Sequence, residues 1–218
     1  IRGEEGTKVK LEIYRNGETK TFELTRTKVV VSHVTTKVLN NDIGYIAISD
    51  FEGECASEFE TKYKQLEKQG IKKLIIDIRN NGGGIVDEAL KIANMLVDKD
   101  STLLITKDKS DKEEITKATE KPIINIPTVV LVNEYSASAS EILAGALKDN
   151  GKATLVGTKT YGKGIIQELH QLSDGSGLKI TVSEYYTPNH NAIHKIGITP
   201  DVEVDLSEDV KQKKTKQE

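Results

Sequence analysis

Only one cysteine, Cys55, stands among the 218 residues. One thiol cannot build an internal disulfide framework or a multi-cysteine zinc site, and it leaves the redox compartment open. Its place near the start of a helical pattern gives no sign of a redox role. No apolar run approaches the ~20 residues that a membrane-spanning helix needs. Charge of one sign is scarce too: the net charge is −3, and no segment gathers basic residues beside aromatic ones. That argues against a dedicated nucleic-acid binder. What remains is ordinary for a globular protein with a real core, 36% hydrophobic and 30% charged. The length fits one large domain, or one domain plus a fragment. The first residue is Ile1, so a preceding signal, anchor or domain is expected.

Residues 7–25 read as a hairpin. Val9, Leu11 and Ile13 alternate with polar residues, Asn16-Gly17 supplies a tight turn, and Phe22 and Leu24 resume the alternation. A lone two-stranded hairpin is marginal in water, so this piece looks like the end of a small β domain. Residues 28–33 could add a linking strand. From residue 44 the pattern becomes alternating strand and helix. Strands are expected at 45–49, 74–78, 103–106, 127–132 and 153–156, with β structure again over 165–185. Helical spacing marks 56–68, 86–97 and 139–148, with Gly151 just past the third. This order implies an α/β core with parallel strands and right-handed crossovers. Residues 207–218 form a charged tail, whose apolar-poor end, 211–218, is expected to fray.

Three turns follow strands, where open α/β sheets place their ligands. The first is Asn80-Asn81-Gly82-Gly83-Gly84, whose glycines permit positive φ and leave N–H groups open to an oxyanion. A plain strand-to-helix turn would need the same residues. The second, Ser136-Ala137-Ser138-Ala139-Ser140-Glu141, puts serines at a helix start. Ser138 there is either a nucleophile favoured by the positive helix end, or a cap completed by Glu141 three residues on. The third, Gly157 to Gly164, nearly matches a phosphate-binding loop. However, Gly164 stands where that loop needs a hydroxyl for Mg²⁺, and a strand pattern follows instead of a helix. An NTPase site fails on both counts. His190 and His194 sit in a loop pattern without the glutamate of a zinc-peptidase helix, and His33 and His170 are isolated.

Several motifs in order carry a resemblance. They are Ile-Asp-Ile-Arg-Asn-Asn-Gly-Gly-Gly at 76–84, Ser-Ala-Ser-Ala-Ser-Glu-Ile at 136–142 and Gly-Ala-Leu-Lys-Asp at 145–149. Thr-Tyr-Gly-Lys-Gly at 160–164 with Gln167, Tyr-Tyr-Thr-Pro at 185–188 and Gly-Ile-Thr-Pro-Asp-Val at 197–202 complete the set. Together they resemble the C-terminal processing peptidases, or tail-specific proteases, over roughly residues 40–206. The resemblance implies a fold of class α/β, a mixed sheet core with helices and βαβ units of the ClpP/crotonase-like kind. It assigns 44–206 to this peptidase core and 27–43 to a linker. Residues 1–26 resemble only the last part of a PDZ domain, without its carboxylate-binding loop.

In that family a serine–lysine dyad cuts peptide bonds. The resemblance makes Ser138 the nucleophile, Lys163 the general base and Gln167 the residue that orients the lysine. It places the oxyanion donors at Ala139 and at Gly84, with Gly83 as the other choice, and makes Asp149 a supporting acid. It implies no cofactor or metal. The partners it implies are protein or peptide substrates held by their C-terminal tails, not nucleic acid, and its setting is extracytoplasmic in a bacterium. The physics is compatible. A lysine base must be neutral, whereas a free lysine has a pKa of about 10.4, so burial and the helix end beside Ser138 are expected to lower it. A catalytically idle tail-binding scaffold of the same fold is the competing reading.

Overall fold

The computed structural model describes residues 1–28 and 31–205. The chain divides into two units, Ile1–Ser32 and a second beginning at His33. In the first, β1 (Lys8–Arg15) and β2 (Glu18–Thr25) form the expected antiparallel hairpin. Its two-residue turn works because Asn16 and Gly17 both adopt positive φ, 54° and 82°. Register brings Val9 opposite Leu24 and Leu11 opposite Phe22, so the apolar residues pair across the strands on one face.

The second unit opens with β3 (Val34–Leu39) and β4 (Ile43–Ile48), an antiparallel pair. Residues 34–39 therefore belong to a sheet, although the sequence pointed to a linker across 27–43. No strand forms at 28 or 31–33, and residues 29–30 lie outside the described residues. Chain order continues with α1 (Cys55–Lys68), β5 (Lys73–Asp77), α2 (Val86–Asn94), β6 (Thr102–Asp108), β7 (Glu113–Lys117) and β8 (Thr128–Val132). Then come α3 (Ala139–Asp149), β9 (Thr154–Gly157), β10 (Ile165–Gln171), β11 (Gly177–Tyr186) and β12 (Val202–Glu203). The charged end expected to fray lies outside the described residues.

Two sheets result. One has the order β12-β9-β8-β5-β4-β3, parallel throughout except for β3. The other, β10-β11-β6-β7, is antiparallel. The β6–β7 pair was only half visible in the sequence, because β7 is exposed and polar and has no alternation to reveal it. Helix packing explains the core. Phe59, Tyr63 and Leu66 of α1, Ala89, Ile92 and Ala93 of α2 and Ile142, Leu143, Ala146 and Leu147 of α3 meet the inward residues of β4, β5 and β8. Each such Leu or Ile contributes about 1.5–3 kcal/mol by leaving water.

Helix α3 is buried along nearly its whole length, Ala139 to Leu147. Small residues make that possible. A Cβ on Gly145 would stand 2.9 Å from the Thr187 methyl. The C-terminal ends of β5 and β8 lead directly into the glycine turn and the serine turn. Topology thus sets two of the three suspect turns side by side.

Candidate active site

The serine turn is held by its other two serines. Ser136 and Ser140 are fully buried, and both donate from Oγ to the neighbouring glycine turn, Ser136 to the Ile78 carbonyl at 2.8 Å and Ser140 to the Asn81 carbonyl at 2.9 Å. The Ala137 N–H also donates to the Asn81 carbonyl, at 3.0 Å. Ser138, between them, is only half-buried and adopts φ 58°, ψ −117° at the start of α3. A positive φ at a residue with a side chain costs about 1–3 kcal/mol and persists only where surroundings over-determine it. The flanking serines and Asn81 do that here. Geometry therefore separates three serines that are alike in the sequence, and presents one.

The glycine turn packs against this serine backbone to backbone. Asn81, fully buried, donates from its amide to the Ile48 carbonyl and accepts the Gly83 N–H at 2.8 Å. Asn80 and Asn133 exchange two further hydrogen bonds that pin the two turns together. A Cβ on Gly83 would sit 2.8 Å from both Ser138 Cβ and the Ala137 oxygen, and its φ is 104°. Only glycine allows that approach. The Gly83 N–H is engaged by Asn81, whereas among the described residues the Gly84 and Ala139 N–H groups donate to nothing. Two open amides thus lie in the turns that meet at Ser138.

The third turn joins the serine turn through Glu141. This carboxylate is fully buried and accepts four hydrogen bonds. Oε2 receives the Ser138 N–H at 3.0 Å and the Lys163 N–H at 2.8 Å. Oε1 receives the Thr160 hydroxyl at 2.6 Å and the Gly162 N–H at 2.7 Å. The amides of Ser138 and Lys163 therefore converge on one oxygen atom. The glycines flanking Lys163 serve close approach to residues 193–197, not free swinging of the lysine. A Cβ on Gly164 would collide with the His194 nitrogen, and one on Gly162 would stand 3.0 Å from the Gly197 nitrogen.

Side chains are less completely gathered than backbones. Lys163 is exposed, and the described residues offer its ammonium no hydrogen bond or ion pair. Gln167 is exposed beside a β-bulge and donates to Thr181 Oγ1 at 3.4 Å instead of meeting the lysine. Asp149 is the last residue of α3, roughly 15 Å of helix from Ser138, where it accepts the Asn189 N–H at 2.8 Å. The acid at the meeting of the turns is Glu141. In the sequence it was visible only as half of a capping box, because its bonds to 160–163 are long-range.

Two more groups escaped the sequence reading. Tyr185, 1% exposed, donates its phenolic proton to the Lys163 carbonyl. Burial, and next the charge of Glu141, push the phenol well above its ordinary range, while nearby Ser138 pulls it partly back. Asp77, at the end of β5, takes a two-pronged contact from Arg79 and the Tyr45 hydroxyl at 2.6 Å. Burial raises its pKa, but those bonds outweigh burial and hold the carboxyl below its usual range.

A strained serine at a helix N-terminus thus stands beside open amides of the adjoining turns at one end of the parallel sheet. The chain belongs to peptidase family S41, whose model matches residues 42–204. It is 44% identical over 207 residues to a carboxyl-terminal-processing protease of Synechocystis, covering 92% of this chain and 48% of that protein. It is 40% identical over 207 residues to a probable CtpA-like serine protease of Staphylococcus aureus, covering 94% and 42%. Among solved structures, the photosystem II D1 C-terminal processing protease superposes with a TM-score of 0.75 at 38% identity, covering 93% of this chain and 57% of that one. The chain thus spans about half the length of the curated relatives it matches.

Proposed function

We propose that this chain carries the catalytic core of a serine endopeptidase that cuts proteins or peptides near their C-termini with a Ser138–Lys163 dyad. The observation that carries the reading is the strained, half-buried Ser138, tied by Glu141 to the lysine turn. Neutral Lys163 takes the Ser138 proton as Oγ attacks the scissile carbonyl carbon. The resulting oxyanion is received by the Ala139 N–H and the Gly84 N–H; Gly84 is preferred to Gly83 because the Gly83 amide is already engaged. Collapse expels the amine, which takes the proton from the lysine, and water then hydrolyses the acyl-enzyme. Each oxyanion donor contributes about 10²–10³ in rate.

An exposed Lys163 cannot be that base until water leaves it. In this reading, substrate entry covers the side chain and turns it toward Ser138, and Gln167 exchanges Thr181 for the amine. The hairpin at 1–26 is read as the end of a PDZ domain that selects tails, and the whole protein as extracytoplasmic. Cleavage of an unstructured protein with an apolar C-terminus tests the dyad. Wild type should cut, and Ser138→Ala and Lys163→Ala should each lose several orders of magnitude. Equal activity in all three would sink the assignment. The unassembled lysine favours one second reading, a tail-binding scaffold without catalysis. A fluorophosphonate probe decides, since a scaffold would leave Ser138 unlabelled.

A further inference from the structure

The glycine turn leaves the sheet as a single parallel bridge between Gly84 and Phe51. The Phe51 N–H donates to the Gly83 carbonyl at 3.0 Å, and the Ile85 N–H donates to the Phe51 carbonyl at 2.8 Å. In such a bridge the residue between those two bonds turns its own N–H and C=O to the opposite edge. The exposed Gly84 amide therefore points away from Phe51, one residue from the contact between Gly83 and Ser138. Its aim depends on how Gly83 is held. Phe51 takes the Gly83 carbonyl, and Asn81 Oδ1 takes the Gly83 N–H at 2.8 Å. Asn81 is fixed in turn, because its side-chain amide donates to the Ile48 carbonyl at the end of β4, at 3.0 Å.

The same residue reaches the second open amide. The Asn81 main-chain carbonyl accepts the Ala137 N–H at 3.0 Å and the Ser140 hydroxyl at 2.9 Å, and those two residues bracket Ser138 and Ala139. Where the turns meet, the Ala139 nitrogen lies 3.1 Å from the place that a Cβ on Gly83 would take. Resting on the reading of Ser138 as nucleophile, we propose that Asn81 is the positioning residue of the oxyanion hole. Its side chain sets the Gly84 N–H, its carbonyl sets the Ala139 N–H, and one fully buried residue thereby fixes the spacing of both donors. Asparagine suits the task because one short side chain accepts an N–H two residues on and also donates to a carbonyl. Serine can do only the first from this position, and alanine neither. The substrate oxygen carries its charge only in the tetrahedral state, so misplaced donors weaken that state and spare the bound peptide.

A peptide boronate tests this on the whole chain. Ser138 Oγ bonds to boron, its proton passes to Lys163, and one hydroxyl of the tetrahedral adduct stands where the oxyanion would. Asn81→Ala should lower kcat and boronate affinity together, by at least about tenfold, with KM unchanged. Asn81→Ser, whose hydroxyl can still accept the Gly83 N–H, should fall between that variant and the wild type. Adding Asn81→Ala to Ser138→Ala should leave binding of the uncut peptide as it was. A wild-type kcat in Asn81→Ala, or an equal loss of boronate and peptide binding, would overturn the proposal, because Asn81 would then only shape the turn. If Asn81→Ala fails to fold, Asn81→Ser decides: wild-type boronate affinity in that variant sinks the idea, and a severalfold loss with KM unchanged upholds it. Equal boronate affinity in wild type and Ser138→Ala would instead remove the nucleophile reading, and this proposal with it.

Discussion

Glu141 is the residue on which the local geometry depends most. Each carboxylate oxygen accepts two donors, so all its strong acceptor sites serve the serine turn and the lysine turn. Glutamine has the same shape but only one accepting oxygen, and its NH₂ would face two N–H donors or a hydroxyl. Glu141→Gln is expected to cost about 3 kcal/mol of stability in urea titrations, the scale of losing bonds to a buried charge. It should also slow serine labelling at least tenfold; unchanged stability would mean the network is not what holds the turns. Cys55 makes the opposite point. Burial, then the charges of Glu88, Glu58 and Asp50, push its thiol up to about 12. Iodoacetamide at pH 8 should leave it untouched in the native protein and alkylate it in urea, as mass spectrometry would show.

At the scale of elements, α1 illustrates capping from a distance. Its own N-cap position, Glu54, makes no side-chain cap bond. Instead Glu88, buried on α2, accepts the Ala56 N–H at 2.7 Å and pairs with Lys91. One carboxylate therefore serves the start of α1 and fixes the α1–α2 contact. Glu88→Ala should lower stability by about 1–2 kcal/mol, the usual worth of a helix cap, read as a drop in the denaturation midpoint. A null result would show that water replaces the cap freely. Periodicity revealed α1, α2 and α3 within a few residues of their ends, because each buries one apolar stripe. It did not reveal β3 as a sheet edge or β7 as a strand, because their exposed faces carry no alternation.

Across the whole molecule, hydrogen-bonded carboxylates set the acid limit of stability. For Asp77, Glu88 and Asp201, burial raises the pKa. Hydrogen bonds from Arg79, from Lys91 and from the Leu155 N–H, respectively, outweigh it and hold each carboxyl below its ordinary value. A carboxyl depressed by folding contributes stability above its unfolded pKa, about 4, and loses it as the pH falls through the folded value. Stability should therefore be level near pH 6 and decline below about pH 4, with Asp77→Asn showing a shallower decline. Cys55 works in the other direction. Its raised pKa favours the native state below the unfolded thiol's value of about 8.5, and that advantage erodes as the pH rises toward 12. Urea midpoints from pH 3 to 10 should trace a dome; a flat profile below pH 4 would contradict the carboxylate account.

By itself the sequence determined the helices, most of the sheet strands, the hairpin turn at Asn16-Gly17 and the three turns that matter, since these follow from local periodicity and local backbone freedom. It also carried, through ordered motifs, the resemblance to a peptidase family. The resemblance, not local pattern, singled out Ser138 and preferred Gly84 to Gly83. Neither could show that Ser136 and Ser140 are buried, that the Gly83 amide is engaged, or that Glu141 and Tyr185 clamp the lysine turn. Those were decided by the tertiary structure alone. Each depends on hydrogen bonds and close backbone approaches between segments some 20 to 60 residues apart, such as Ser140 to Asn81 and Glu141 to Lys163. No local pattern encodes which distant partner a buried polar group will meet.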